Sequence, residues 1–238
     1  MKKLLSVILA CLMIVSMTSF AGAIPQVDSE DYLIERPDGS RVVAAYRYRN
    51  GVREELSKTE YLEMIESNKP FANMAPERNF SVENIQPHGI YDFYTYNEIY
   101  SLSEVEMNGM RRRISNYVRN SGSAFATRTI SGSISLGAVL DTSLTAKEEE
   151  AIEFSLGVSL SAEFSFSDSI SYQIPPSTKV WMEFTPIMDY TYGTVEHWVP
   201  IDAPPYTAVL STTTARVYLP RVIMNELDGI VEIVEDSM

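Results

Sequence analysis

From Ile152 to Ile174 the chain alternates strictly between apolar and polar side chains. The even positions read Ile152, Phe154, Leu156, Val158, Leu160, Ala162, Phe164, Phe166, Asp168, Ile170, Tyr172 and Ile174, so Asp168 alone breaks the apolar row. The odd positions are serine, glutamate, glycine or glutamine throughout. Side chains of a strand point alternately to its two faces, so this period of two predicts one continuous two-faced β-strand, whereas a helix would scatter the apolar groups around its circumference. At roughly 3.3 Å per residue that strand would reach about 75 Å, far longer than the usual strand of about five or six residues. A second alternating stretch, Thr127 to Leu140, sets Ile130, Ile134, Leu136, Ala138 and Leu140 on one face and Ser131, Ser133 and Ser135 on the other. It is the natural antiparallel partner of the first. The two are joined by the hydrophilic segment Asp141 to Ala151, in which residues 146–151 are able to form one helical turn.

Turn signals divide the rest of the chain. Asp38-Gly39 and Asn50-Gly51 lie between strand-like runs, and Asn50-Gly51 as a two-residue turn places Arg47 opposite Glu54 as an ion pair. Ser57-Lys58-Thr59-Glu60 reads as a capping box with Leu56 and Tyr61 as its staple, opening a helix from Lys58 to about Ser67. Residues 24–70 therefore form a small β-meander and helix module, expected to be separable as a pro-region or accessory unit. Pro70, Pro76, Pro87 and Gly89 mark residues 71–89 as a linker. An aromatic strand follows at Ile90 to Tyr96, its tyrosines expected to be core. Asn108-Gly109 predicts a tight hairpin that pairs Glu106 with Arg111 and Glu104 with Arg113. Strands are also expected at Lys179–Phe184, ending at Pro186, at Tyr190–Trp198 and at Ala208–Leu219, with a last hairpin at Asp228-Gly229.

Composition narrows the setting. Lys2, Lys3, the apolar run Leu4–Val15 and the triplet Ala21-Gly22-Ala23 read as a secretory signal over residues 1–23, with lipoprotein cleavage at Cys11 as the rival reading. Cleavage after Ala23 leaves a secreted chain without cysteine, since Cys11 is the only one, and so without disulfides, thiolate catalysis or cysteine-ligated metal. The formal net charge of -13 argues against a nucleic-acid partner. His88 and His197 are the only histidines, and neither stands in a catalytic or metal-binding pattern; His197 beside Trp198 reads as a half-buried structural histidine. No catalytic residue, cofactor or metal is expected, and the chain reads as a protein other than an enzyme.

From Tyr117 onward the order of features resembles the aerolysin-like β-pore-forming proteins, the epsilon-toxin and mosquitocidal-toxin group. Tyr117-Val118-Arg119-Asn120 leads into serine- and threonine-rich alternating strands, and Ile174-Pro175-Pro176-Ser177-Thr178-Lys179-Val180 restarts the sheet. The resemblance implies that residues 90–238 form an aerolysin-like β domain. The fold class is then mainly β, an elongated antiparallel sheet or sandwich with unusually long amphipathic strands, plus the N-terminal meander and helix. It also implies a hairpin within Thr129–Leu140 and Ile152–Phe166 that swings out after oligomerisation to line a membrane barrel. Its membrane-facing residues would be Ile130, Ile134, Leu136, Leu140, Phe154, Leu156, Val158, Leu160, Phe164 and Phe166. Its pore-facing residues would be Ser131, Ser133, Ser135, Ser155, Ser159, Ser161 and Ser165. The partners implied are further copies of the chain and a membrane or cell-surface receptor. Lys147 to Glu150 depart from the family pattern by placing charges at the tip. The alternative left open by the residues is a non-lytic extracellular binding or cell-envelope β-sandwich protein.

Overall fold

A computed structural model describes residues 33–67, 92–140, 142–202, 206–223 and 226–238. The expected signal segment, the whole of the expected linker over residues 71–89 and His88 with it lie outside the described residues. Strands β1 (Ile34–Glu35), β2 (Arg41–Arg49) and β3 (Val52–Glu55) precede helix α1 (Lys58–Ser67). Then come β4 (Phe93–Glu106), a 3-10 turn (Asn108–Met110), β5 (Arg112–Arg113), β6 (Val118–Asn120), β7 (Ala126–Gly137) and β8 (Val139–Leu140). Helix α2 (Ala146–Leu156) follows, and after it β9 (Glu163–Ile174), β10 (Thr178–Pro200) and β11 (Thr207–Pro220). The chain closes with β12 (Val222–Ile223), β13 (Glu226–Leu227) and β14 (Gly229–Ser237). The fold is mainly β and its pairings are antiparallel.

The organising element is β10, a strand of 23 residues. Its first half, to Pro186, pairs with β14 on one side and with the short β5 and β6 on the other. Its second half pairs with β11 and β4. The strand expected to stop at Pro186 therefore continues through it. Pro186 lacks an N–H, and the ladder changes partners at that point: its carbonyl accepts from Met107 at 2.9 Å, and Ile187 donates to the Asp228 carbonyl at 3.1 Å.

Turn dipeptides behaved unequally. Asn50 and Gly51 take φ of 56° and 72°, and the tight turn sets Arg47 opposite Glu54 in register. Arg47 nevertheless reaches across to Glu104 at 3.3 Å, which also binds Arg49 at 2.5 Å and Arg221 at 3.2 Å. Asn108-Gly109 makes no hairpin: β4 and β5 lie end to end along β10, so Glu106 faces Ile187 and Arg113 faces Glu183. Asp228-Gly229 makes none either, because β12 pairs with β13 and β14 then departs along β10 and β2.

The meander of residues 24–70, expected to be separable, is built into the sheet wherever it is described. Strand β2 pairs with β14 from Tyr48 opposite Gly229 to Arg41 opposite Glu235. The Ser57 capping box forms, with Ser57 N donating to Glu60 at 2.8 Å and Glu60 N to the Ser57 hydroxyl at 3.3 Å. Tyr61 and Leu56 pack with Val42 and Ala45, closing one face of the sheet. On that face the buried Glu232 accepts from Tyr61 and Arg36, with Arg111 also within 3.3 Å.

Candidate functional site

The hairpin of β7 and β9 is a two-stranded ladder of its own, in register from Ala126 opposite Ile174 to Gly137 opposite Glu163. Its polar face is solvent-exposed at Ser131, Ser133, Ser135 and Ser165, with Ser135 and Ser165 sharing a 2.9 Å hydrogen bond across the strands. Its apolar face buries Ile130, Leu136 and Phe166 and half-buries Ile134 and Phe164 against Val180, Met182, Phe184, Val231 and Ile233 of the main sheet. Among the described residues, backbone-to-backbone attachment to the rest of the fold comes at one place, where Ser133 N donates to the Ile114 carbonyl at 3.2 Å beside the Ser115–Gly132 bridge, while the side chains of Asn120 and Arg112 donate to the carbonyls of Ile174 at 2.9 Å and Ser135 at 3.4 Å. Gly132 lets the strands approach there, because a Cβ would sit 2.8 Å from the Ile114 side chain and force it to shift. Asp168, the break in the apolar row, lies opposite Gly132. It turns its carboxylate to the Tyr48 hydroxyl and, at 3.2 Å, to Arg53.

The other half of the predicted hairpin folds differently. Residues 152–156 belong to α2, not to a strand, and Gly157 to Ala162 turn back toward β9. The single strand expected over residues 152–174 is thus corrected to a helix end, a turn and a 12-residue strand. Local signals explain the outcome. Thr145 and Glu148 form a reciprocal capping box, and Gly157 ends the helix with φ 67° and an N–H donated to Glu153 O. Helical spacing then selects which apolar residues are used: Ala151 and Ile152 are buried with Leu156 packed beside them, against Tyr96, Val195, Ala215 and Val217. Phe154 points the other way and is 91% exposed. Val158 is exposed, Leu160 packs at the edge of the same cluster, and Leu140 pairs with Val217 in β8. Ser155, Ser159 and Ser161 are exposed, and Ser155 donates to the Tyr96 carbonyl at 3.3 Å. The structure therefore brings Ile130, Ile134, Leu136, Phe164 and Phe166 together with Ser131, Ser133, Ser135 and Ser165, and separates the remaining predicted residues from them.

A polar clasp that sequence reasoning missed fastens α2 to the second sheet half. Lys147 pairs with Asp92 at 3.2 Å, Asp92 with His197 Nε2 at 2.9 Å, and Thr213 donates to Glu148 at 2.6 Å. The Tyr94 and His197 rings stack at 4.3 Å with 4° between planes. The readable signal was Thr145-x-x-Glu148, the same pattern as Ser57-x-x-Glu60. The Lys147 and His197 contacts hold the Asp92 carboxyl below its ordinary range. Burial pushes Glu148 up, but its bonds to Thr213 and Thr145 outweigh this and leave it lowered. Lowered carboxyl pKa values contribute stability that is present above the ordinary value and lost as pH falls through the folded one. Acid below about pH 4 is accordingly expected to loosen α2 before the sheet. Amide exchange should show protection at residues 146–156 falling between pH 5 and pH 3 while β10 and β14 stay protected. Equal loss at all three would remove the clasp from consideration.

Among the described residues no group of histidine, cysteine, aspartate or glutamate is placed to hold a metal, and no helix is long and apolar enough to cross a membrane. No protein family matches the chain, nor does any curated protein. Among solved structures, it is similar to a candidate pore-forming toxin from Bacteroides vulgatus, with 10% identity over 61% of this chain and 57% of that one, TM-score 0.28. The chain thus spans less than two thirds of that protein. The Cry23Aa1–Cry37Aa1 binary complex aligns at 11% identity over 62% of this chain and 75% of that one, TM-score 0.23. The parasporin-2 toxin of Bacillus thuringiensis, which recognises cancer cells, aligns at 9% identity over 61% and 73%, TM-score 0.18.

Proposed function

We propose that the protein is secreted and toxin-like, and that several copies act together on a membrane through the amphipathic hairpin. The observation that carries this reading is the hairpin's attachment. It is a complete ladder within itself and rests on the sheet mainly through side-chain packing, so it can leave by giving up the Ser133–Ile114 backbone bond and a few side-chain bonds without unpairing the named strands beneath. Its serine face tolerates water and its apolar face, once lifted, requires a new apolar environment. One hairpin cannot close a barrel, which takes at least about eight strands, so a ring of copies is needed.

The second reading, a non-lytic extracellular binding or envelope protein, is favoured by Asp168. Its bonds to Tyr48 and Arg53 look built to keep the hairpin seated. The experiment uses a Cys11→Ser background with a single cysteine at Leu160 or Ser159 carrying an environment-sensitive dye. With phosphatidylcholine–cholesterol vesicles, before and after limited proteolysis, the membrane reading expects leakage, quenching by lipid-chain quenchers at position 160 and none at 159. Absence of leakage and of quenching under every condition leaves the binding protein.

A further inference from the structure

Three features of the segment between β7 and β9 converge. First, the strand-like alternation of residues 152–174 does not stop where the strand stops; it runs unbroken through the turn and the last five residues of α2, Ile152 to Leu156. Second, the observed register can be carried on. Past Gly137 and Glu163 it sets Ala138 opposite Ala162, Leu140 opposite Leu160, Leu144 opposite Leu156, and Ala146 opposite Phe154. On the other face it sets Thr145 opposite Ser155 and Lys147 opposite Glu153, an ion pair of the kind that stabilises facing strands. Nothing in a helix of 11 residues requires this agreement. Third, Phe154 is 91% exposed, so its apolar surface goes unused in the helical state.

We infer that residues 138–162 have a second conformation in which α2 unwinds and extends the hairpin in the same register, turning at Glu149-Glu150-Ala151, and that this extension is the part that crosses a bilayer. The inference takes its purpose from the membrane reading above, but its geometry stands apart from it. Span 138–148 matches the strand of about nine to eleven residues needed to cross the hydrocarbon. The apolar face of the extension carries Leu140, Leu144, Phe154, Leu156, Val158 and Leu160; Thr142 is its one uncharged polar position, and its one charge, Glu148 opposite Ile152, comes at the end of the span next to the tip, whereas in the β7–β9 ladder Asp168 interrupts the row midway. The acidic tip would emerge on the far side. Strands β7 and β9 then form the base of the hairpin outside the lipid. Unwinding gives up the β8–β11 pairing and the contacts of Ile152, so the helical state prevails in water.

In α2, Thr145 and Ser155 are ten positions apart, about 15 Å along the axis at about 1.5 Å per residue, beyond the reach of a disulfide of about 7 Å between Cα atoms. In the extended hairpin they face each other. A Cys11→Ser chain carrying Thr145→Cys and Ser155→Cys should form the intramolecular disulfide readily in phosphatidylcholine–cholesterol vesicles and at most slowly in buffer. A control with Thr145→Cys and Ser159→Cys, out of register, should not. Glu150 is exposed, so Glu150→Pro removes no packing; it breaks the helix but suits the hairpin turn, and should speed cross-linking about tenfold or more. Leakage without the 145–155 bond, or with equal bonding at 145–159, overturns the second conformation and leaves the membrane reading intact. Register-specific bonding without leakage upholds the second conformation and removes the pore. If neither the wild-type background nor Glu150→Pro forms the bond in vesicles, the inference is wrong.

Discussion

Phe184→Ala is expected to cost about 3–5 kcal/mol of folding stability, the range for removing a large aromatic from a closed core. The ring is fully buried in β10, between the sheet and the hairpin, and stacks on Phe166 of β9 at 4.7 Å. Phe166 in turn meets Tyr48 edge-on at 4.8 Å, so three strands share the loss. Gly229 shows how tightly the ring is enclosed: a Cβ there would lie 2.2 Å from Phe184 Cζ and 2.9 Å from the Thr185 carbonyl, leaving no room for neighbours to collapse into the void without moving backbone. Urea unfolding followed by tryptophan fluorescence measures the effect, and a loss under about 1 kcal/mol would mean that the hairpin is not seated on this ring.

Arg36→Met should cost about 3 kcal/mol near neutral pH, because it strips a partner from a carboxylate with no access to water. Glu232 is 1% exposed, and Arg36 bridges it at 2.5 Å to Glu183 at 2.8 Å. Burial raises the Glu232 pKa, opposed by the pull of Arg111, the Tyr61 hydroxyl and Arg36. A carboxyl raised in the folded state contributes stability that is complete below its ordinary value of 4.5 and is lost as pH rises through the folded value. Without Arg36 that loss grows. The difference between variant and wild type should therefore be large at pH 7.5 and shrink toward pH 4, as measured by urea midpoints at both. A difference independent of pH would mean that Arg36 acts by packing its stem alone. Arg36 and Tyr61 both lie in the meander expected to be separable. Cleavage within residues 68–91 is consequently expected to leave residues 33–67 attached.

The ladder of β7 and β9 was legible because one face is buried and the other wet, a condition under which a period of two dictates both strand and register. Ser57 and Glu60 announced α1 for an equally local reason. Between Ile152 and Ala162 the same alternation misled, since Thr145, Glu148 and Gly157 cap a helix and Ile152 with Leu156 satisfies helical spacing as well as strand spacing. Asn108-Gly109 and Asp228-Gly229 were misread because a turn dipeptide reports where the backbone bends and not which strands meet afterwards. The clasp of Asp92, Lys147, Glu148, His197 and Thr213 joins residues 55 to 105 positions apart, and no spacing rule reaches that far. Pro186 reads as a strand end when β10 is considered alone. It becomes permissible once Met107 and Asp228 are seen to take over the ladder on either side.

The continuity of β10 restricts what the molecule can do mechanically. A single strand of 23 residues serves as the shared member of both sheet halves, with no loop between them to act as a joint. Bending one half against the other would require breaking the ladder at Pro186, where backbone bonds already run to flanking segments on both sides. Activation by hinging is thereby closed off, and freedom is confined to whatever lies on the faces of the beam. Pulled from its ends along the strand, β10 would load all its neighbours in shear at once, so a force measurement should show one high rupture event and not a sequence of small ones.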